Sequence, residues 1–250
     1  MGRSPLYSPS FFTKDPPMSD TMQIWDPRGV RASAHLDIAQ ELLPLKESEI
    51  LSLTSGAGEI GPAIAAAVKS STVVVIEING ASEDPPPLSN LTFKSGEPDK
   101  IPADDESFDI VMANGVLSRV SDDRRAAALR EMRRVLRPGG LAYIAEPFSG
   151  SAFNEILRGF FDEKQARVAA FELVKESVTS GAMALVSQKF FQMPVMLADF
   201  DAMARGYLPA DVRVAGPQKT EAVKKLDRQM GPKGAAFQIP MRIDLLRKPD

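Results

Sequence analysis

Six residues, Gly56-Ala57-Gly58-Glu59-Ile60-Gly61, stand between a short apolar run and a stretch of helical patterning. Glycines at such a turn let the backbone approach a ligand, and the following helix start offers free N–H groups. The next apolar run ends in a carboxylate, Glu77, placed to accept both hydroxyls of a ribose. Taken alone, this pattern fits a dinucleotide site as well as an adenosyl site, and such glycines also serve structure by themselves. Proton chemistry has few carriers. The chain holds one histidine, His35, and no cysteine. Disulfides, thiolate metal sites, iron–sulfur clusters and cysteine nucleophiles are thereby excluded, and a Ser-His-Asp or multi-histidine site must run through His35 or not exist. No metal site is expected. Proton removal falls to His35, to Glu146 at the end of an apolar run, or to a tyrosine such as Tyr143 or Tyr207.

The elements that must position these residues alternate. Residues 50–53, 72–76, 91–94, 108–113 and 141–145 read as strands. The 72–76 run is β-branched and uniformly apolar, as in a strand covered on both faces. Residues 32–43 carry Leu36, Ala39, Leu42 and Leu43 at helical spacing, with His35 beside that stripe. A helix follows the glycine turn, with Pro62 near its start, where a missing N–H costs nothing. Ser121 can cap a helix over 121–136, whose apolar stripe is Ala128, Leu129, Met132, Val135 and Leu136. Pro138-Gly139-Gly140 stops it. Strands and helices alternating at this spacing predict parallel βαβ units, a doubly wound sheet and a ligand at the carboxyl ends of its strands.

Beyond Phe148 the pattern changes. Residues 152–180 read helical, 189–197 are apolar and aromatic around a proline, and 199–205 suit a short helix. Residues 211–215 suit a strand, 220–230 a helix, and 238–246 alternate Ile239, Met241, Ile243 and Leu245 as a last strand. Phe153, Phe160, Phe161, Phe190, Phe191, Met193 and Met196 suit an apolar pocket or a subunit contact. The first residues, interrupted by Pro5, Pro9, Pro16, Pro17 and Pro27, read as an arm.

Thirty basic residues against 33 acidic ones give a net charge of −3, which argues against nucleic acid or an anionic membrane as partner. Seven arginines between Arg119 and Arg137, against three acids, read as a solvated helix face. No apolar run approaches the ~18 residues of a membrane span.

Four stretches come in a set order: Ser95-Gly96-Glu97-Pro98-Asp99-Lys100-Ile101-Pro102, then Asp104-Asp105-Glu106-Ser107-Phe108-Asp109-Ile110-Val111, then Asn114-Gly115-Val116-Leu117, then residues 130–140 ending in Leu136-Arg137-Pro138-Gly139-Gly140. As a set they resemble the class I S-adenosylmethionine-dependent methyltransferases, in the small-molecule branch typified by ubiquinone and menaquinone biosynthesis enzymes. The resemblance covers roughly residues 50–146. It implies an α/β fold: a doubly wound, mostly parallel seven-stranded sheet, Rossmann-like, with an antiparallel C-terminal strand and a helical insert. Residues 1–29 would be a flexible or draped arm and 30–250 one domain. Within it, 30–148 would be the cofactor-binding half, 149–237 the helical substrate-side insert, and 238–250 the last strand and tail.

The resemblance also implies roles. Ser55, Gly56, Ala57 and Gly58 would wrap the methionine part of S-adenosylmethionine. Glu77 would hold the ribose, with Ile78 beside the adenine. Glu97 would accept from the adenine amino group, and Asn114 would lie by the cofactor's amino acid end or its transferable methyl. Two motif positions depart from the family: Ser52 stands where an acid is usual and Thr54 where a glycine is usual, a site for strain if a positive φ is needed. Ser118 and Arg119 replace a common histidine pair. The expected function is methyl transfer to a small apolar or aromatic molecule, driven mainly by alignment, with His35, Glu146 and Tyr207 as weak candidates for catalysis. The alternative is a catalytically silent relative serving as scaffold or assembly subunit. A nicotinamide-dependent oxidoreductase ranks below both, since no tyrosine precedes a lysine by four residues as the short-chain type requires. A cytoplasmic location is expected, with organellar targeting by the arm left open, and a homodimer or protein partner is allowed for.

Overall fold

A computed structural model describes residues 27–54, 60–78, 87–148, 150–208, 212 and 214–250. The arm expectation falls almost wholly on residues outside these. Helix α1 spans Pro27–Leu42.

The strands are β1 (Glu49–Thr54), β2 (Thr72–Glu77), β3 (Leu91–Ser95), β4 (Phe108–Asn114), β5 (Leu136–Pro147), β6 (Ala184–Leu197), β7 (Met230–Gly231) and β8 (Gly234–Arg247). They form one sheet in the order β3-β2-β1-β4-β5-β8-β6, with β7 paired to β8. The first five pair in parallel, and β8 runs antiparallel to both β5 and β6. A mostly parallel doubly wound sheet with an antiparallel C-terminal strand is therefore present, its main path seven strands as expected, with the two-residue β7 added at its side.

Strand β6 corrects the helical-insert expectation over part of its length. Residues 184–197, inside that insert, are the edge strand β6, and their proline reads as a breaker in sequence. At an edge, Pro194 leaves the shared ladders of the sheet intact. Residues 152–180 also divide, into α4 (Ala152–Leu157) and α5 (Lys164–Thr179), followed after β6 by α6 (Phe200–Tyr207). No strand forms at the described part of 211–215; Ala215 instead caps α7 (Gly216–Asp227). Helix α3 (Asp122–Val135) starts after Ser121, whose carbonyl accepts from Arg124 and Arg125 while its hydroxyl makes no cap bond. Pro138-Gly139-Gly140 ends α3 and buckles β5. Leu136 pairs with Phe108 and Leu141 with Ile110, and the chain between turns at Gly139 with φ +73°.

Alternating side chains divide the core between the two sheet faces. Tyr143 and Ala145 of β5 join one cluster with α1, α2 (Ile60–Ala67) and α4. Ala142 and Ile144 join the other with α3 and α5. Helix α2 lies very close to the sheet at Gly61, the last glycine of the turn motif. A Cβ there would stand 2.5 Å from Val75 Cγ2 and 3.2 Å from Ser52 Cβ. That glycine serves close helix–strand packing. Among the described residues, no helix is long and apolar enough to cross a membrane.

Candidate functional site

The carboxyl ends of the parallel strands bring five residues into one row. Ser95 stands beside Glu77, Glu77 beside Thr54, Thr54 beside Asn114, and Asn114 beside Ala145. The strand order reverses between β1 and β4, so the crevice of a doubly wound sheet opens over Thr54 and Asn114. A cavity lies there. Its floor includes Thr54, Asn114 and Gly115, His35 comes from α1, and Phe153 and Asn154 from α4. Arg167 of α5 and Tyr207 of α6 close it from the C-terminal cover.

Glu77 is the last residue of β2 and only 9% exposed. Ile78 follows it, its N–H donating to the Thr54 carbonyl at 3.0 Å. Asn114 is half-buried at the cavity floor. Ser55, Gly56, Ala57 and Gly58 lie outside the described residues. Glu97 sits in the turn after β3 with a mostly exposed side chain, away from the cavity. Arg124 of α3 donates to it at 2.9 Å and to Asp99 through Nε at 2.6 Å. This guanidinium holds the Asp99 carboxyl below the usual carboxylate range. Thr54 stays in extended strand backbone and is absent from the positive-φ residues, so the strain considered for that position does not arise. Ser52 is buried and its hydroxyl oxygen has no hydrogen-bond partner.

The three proton-carrying candidates separate. His35 is buried at the cavity wall, its Nδ1 3.2 Å from the Tyr143 hydroxyl and its ring edge-on to Phe191. Burial pushes the Tyr143 hydroxyl far above its ordinary value, so that phenol keeps its proton. Tyr207 also lines the cavity and packs edge-on against Phe153, ring centroids 4.7 Å apart. Glu146 does not line it. This carboxylate is buried behind the 3₁₀ turn Leu117–Arg119, and one oxygen accepts from the Leu117 N–H at 2.8 Å and the Ser118 N–H at 3.4 Å. Of the aromatic residues expected at a pocket, Phe153 lines the cavity. Phe190 instead lies 55% exposed on β6, stacked on Phe148.

Arg125 grips the same turn from its other side. It is buried, Nε donating to the Leu117 carbonyl at 2.8 Å and Nη2 to the Val120 carbonyl at 2.9 Å. The expectation of a solvated arginine face fails at this one position, and a run of seven arginines gives no signal of which one turns inward. Asn154 and Arg167 are likewise cavity residues that no motif announces. Among the described residues, no three His, Asp or Glu side chains cluster in a way that could hold a metal ion.

Burial raises the Glu146 carboxyl from 4.5 to about 6 against the pull of its hydrogen bonds. Between those values the folded chain binds more protons than the unfolded chain, so this group's contribution to stability falls as pH rises. Glu146→Gln lacks the effect. The stability of the native sequence relative to Glu146→Gln is expected to drop by about 2 kcal/mol from about pH 4 to about pH 7. Urea unfolding at both pH values measures it, and a difference that stays constant contradicts the burial argument.

Residues 51–144 match a family model described as a methyltransferase domain. A curated demethylmenaquinone methyltransferase from Chlorobaculum tepidum is 31% identical over 109 residues, which is 41% of this chain and 42% of that protein. The chain thus spans about two fifths of the length of the curated relatives it matches. A solved protein from Bacillus halodurans superposes with a TM-score of 0.60 at 16% identity, over 87% of this chain and all of that one. The [4+2]-cyclase SpnF superposes at 0.53 and 18% identity, over 86% of this chain and 80% of that one. At such identities the superpositions speak for the fold alone.

Proposed function

We propose that the chain is a class I S-adenosylmethionine-dependent methyltransferase and transfers a methyl group from that cofactor to a small, apolar or aromatic molecule. The observation that carries this is the row Glu77–Thr54–Asn114, held in register at the reversal of strand order beneath a cavity with an aromatic cover. The donor set fits the cofactor. A nearly buried carboxylate at a strand end suits a ribose diol, and the Asn114 amide suits its amino acid end. Glu97, fixed by Arg124, keeps one carboxylate oxygen for an exocyclic amine.

When bound, S-adenosylmethionine supplies the electrophilic methyl group. The protein's part is to align the acceptor and keep the reaction dry. Phe153, Leu157, Met193, Ile239 and Met241 make the apolar side of the cavity. Glu146 acts through the turn it holds, as a positioning residue for Ser118 and Arg119. His35 and Tyr207 are the side chains that could take a proton from an acceptor, His35 with Nδ1 already engaged by Tyr143. A cytoplasmic setting and a small-molecule acceptor complete the reading.

A second reading keeps the fold and loses the transfer. Ser52 and Thr54 favour it, since they stand at an acid and a glycine of the family's first motif. Calorimetry with S-adenosylhomocysteine tests the first reading: one-to-one binding is expected, and no heat at millimolar ligand overturns it. Tight binding without methyl transfer to any of a panel of hydroxylated aromatics selects the second.

A further inference from the structure

Apart from His35, the ionisable side chains that line the cavity with a charge, among the described residues, are Arg119, Glu163 and Arg167. They meet at one wall. Arg167 Nη2 donates to Glu163 at 2.6 Å, and Arg119 Nε lies 3.7 Å from the same carboxylate. Two guanidinium groups thus stand against one carboxylate, and the wall is electropositive. The Arg167 and Glu163 side chains are only 9% and 15% exposed, so water screens this field weakly.

The two arginines differ in what they can offer. Arg167 is locked into the wall, Nη1 donating at 3.3 Å to the Phe148 carbonyl, which also accepts from Asn154 Nδ2 at 2.7 Å. Arg119 keeps 39% of its side chain exposed, and its separation from Glu163 is too long for a hydrogen bond. The backbone beneath it is held from both sides. Glu146 accepts from the Leu117 and Ser118 N–H groups, and Arg125 donates to the Leu117 and Val120 carbonyls. This turn is tied to β5 through Glu146, whereas Glu77 ends β2, three strands away in the sheet. At about 4.8 Å per strand the two ends of the row are about 14 Å apart. The cation therefore stands at the end of the crevice remote from Glu77, in a cavity whose other lining includes Phe153, Met193 and Ile239.

We propose that Arg119 recognises a carboxylate on the methyl acceptor and so determines acceptor specificity. The acceptor is then an apolar or aromatic body with a carboxylate at one end. A guanidinium fork matches a carboxylate in both shape and charge. The proposal rests on the methyl-transfer reading for the identity of that ligand as acceptor. S-adenosylmethionine carries a carboxylate of its own, and the experiment separates the two sources.

Two probes of one shape, 2-naphthoate and 2-naphthamide, are compared by equilibrium dialysis with and without saturating S-adenosylhomocysteine. With the cofactor product bound, the native chain is expected to prefer the naphthoate about tenfold. Arg119→Gln removes that preference by weakening the naphthoate and leaves the naphthamide unchanged. Arg119→Lys keeps the charge without the fork and retains a preference of about threefold. Probes that bind alike, or an Arg119→Gln variant that weakens both equally, overturn the proposal. Calorimetry reads the other source: Arg119→Gln is expected to bind S-adenosylhomocysteine as the native chain does. A tenfold loss there, with a naphthoate preference seen only when the cofactor product is absent, assigns Arg119 to the cofactor's carboxylate and overturns the proposal. Cofactor-product binding without a naphthoate preference sinks this proposal alone, and a preference without cofactor-product binding sinks the methyl-transfer reading alone.

Discussion

Glu77→Ala is expected to lower the affinity for S-adenosylhomocysteine by about a hundredfold. The carboxylate ends β2 beside Thr54, at the edge of the crevice, and it is nearly buried. A ribose diol brings two hydroxyl donors, and hydrogen bonds to a charged acceptor contribute about 1.5–3 kcal/mol each. Losing both, with partial compensation from water, comes to about 2.7 kcal/mol, which is the hundredfold. Glu77→Gln keeps one oxygen acceptor without the charge and is expected to lose about tenfold. Calorimetry reads both. The two substitutions are expected to leave the melting temperature close to that of the native sequence, since no apolar core residue is removed. Unchanged affinity in Glu77→Ala would mean that the ribose is held elsewhere, and the row at the strand ends would lose its meaning.

The second large effect falls on the cover. Phe153 is fully buried in α4, edge-on to Tyr207 and tilted against Phe237 with centroids 5.3 Å apart. It joins α4, α6 and β8 and also lines the cavity. Phe153→Ala is expected to destabilise the chain by about 3–5 kcal/mol through lost transfer energy and a residual cavity. Urea unfolding measures this. In the surviving folded fraction, the KM for an acceptor should rise while cofactor affinity holds, because Glu77 and Asn114 belong to strands that α4 does not join. Phe190→Ala, at an exposed position, is the matched control and is expected to cost less than about 1 kcal/mol. Equal losses in the two variants would refute the division between anchor and surface.

The parallel half of the sheet is legible in the sequence because its inner strands β1, β2 and β4 are covered on both faces. Val73 to Ile76 and Ile110 to Ala113 have no polar face to confuse the pattern, and glycine or proline punctuates their ends. Glu77 and Asn114 followed as the residues at those ends. The cover is harder for physical reasons. Residues 184–197 bury one face only in part and carry a proline, so neither strand nor helix stands out until β8 is there to pair with them. Arg125 reads as one more surface arginine, because its inward turn depends on carbonyls of the preceding 3₁₀ turn. Asn154 and Arg167 are chosen by the position of the Phe148 carbonyl, which no local pattern reveals.

The edge strand has a further consequence for how this chain behaves in a crowded solution. An open strand edge is a template on which another strand can grow, and β6 is fourteen residues long with Leu185, Val186 and Phe190 exposed. Pro194 has no N–H to offer, and a proline within an edge strand blunts pairing with a further strand. Neighbouring molecules therefore meet an edge strand interrupted by a proline, a feature that resists sheet-by-sheet fibril growth while the strand stays paired to β8.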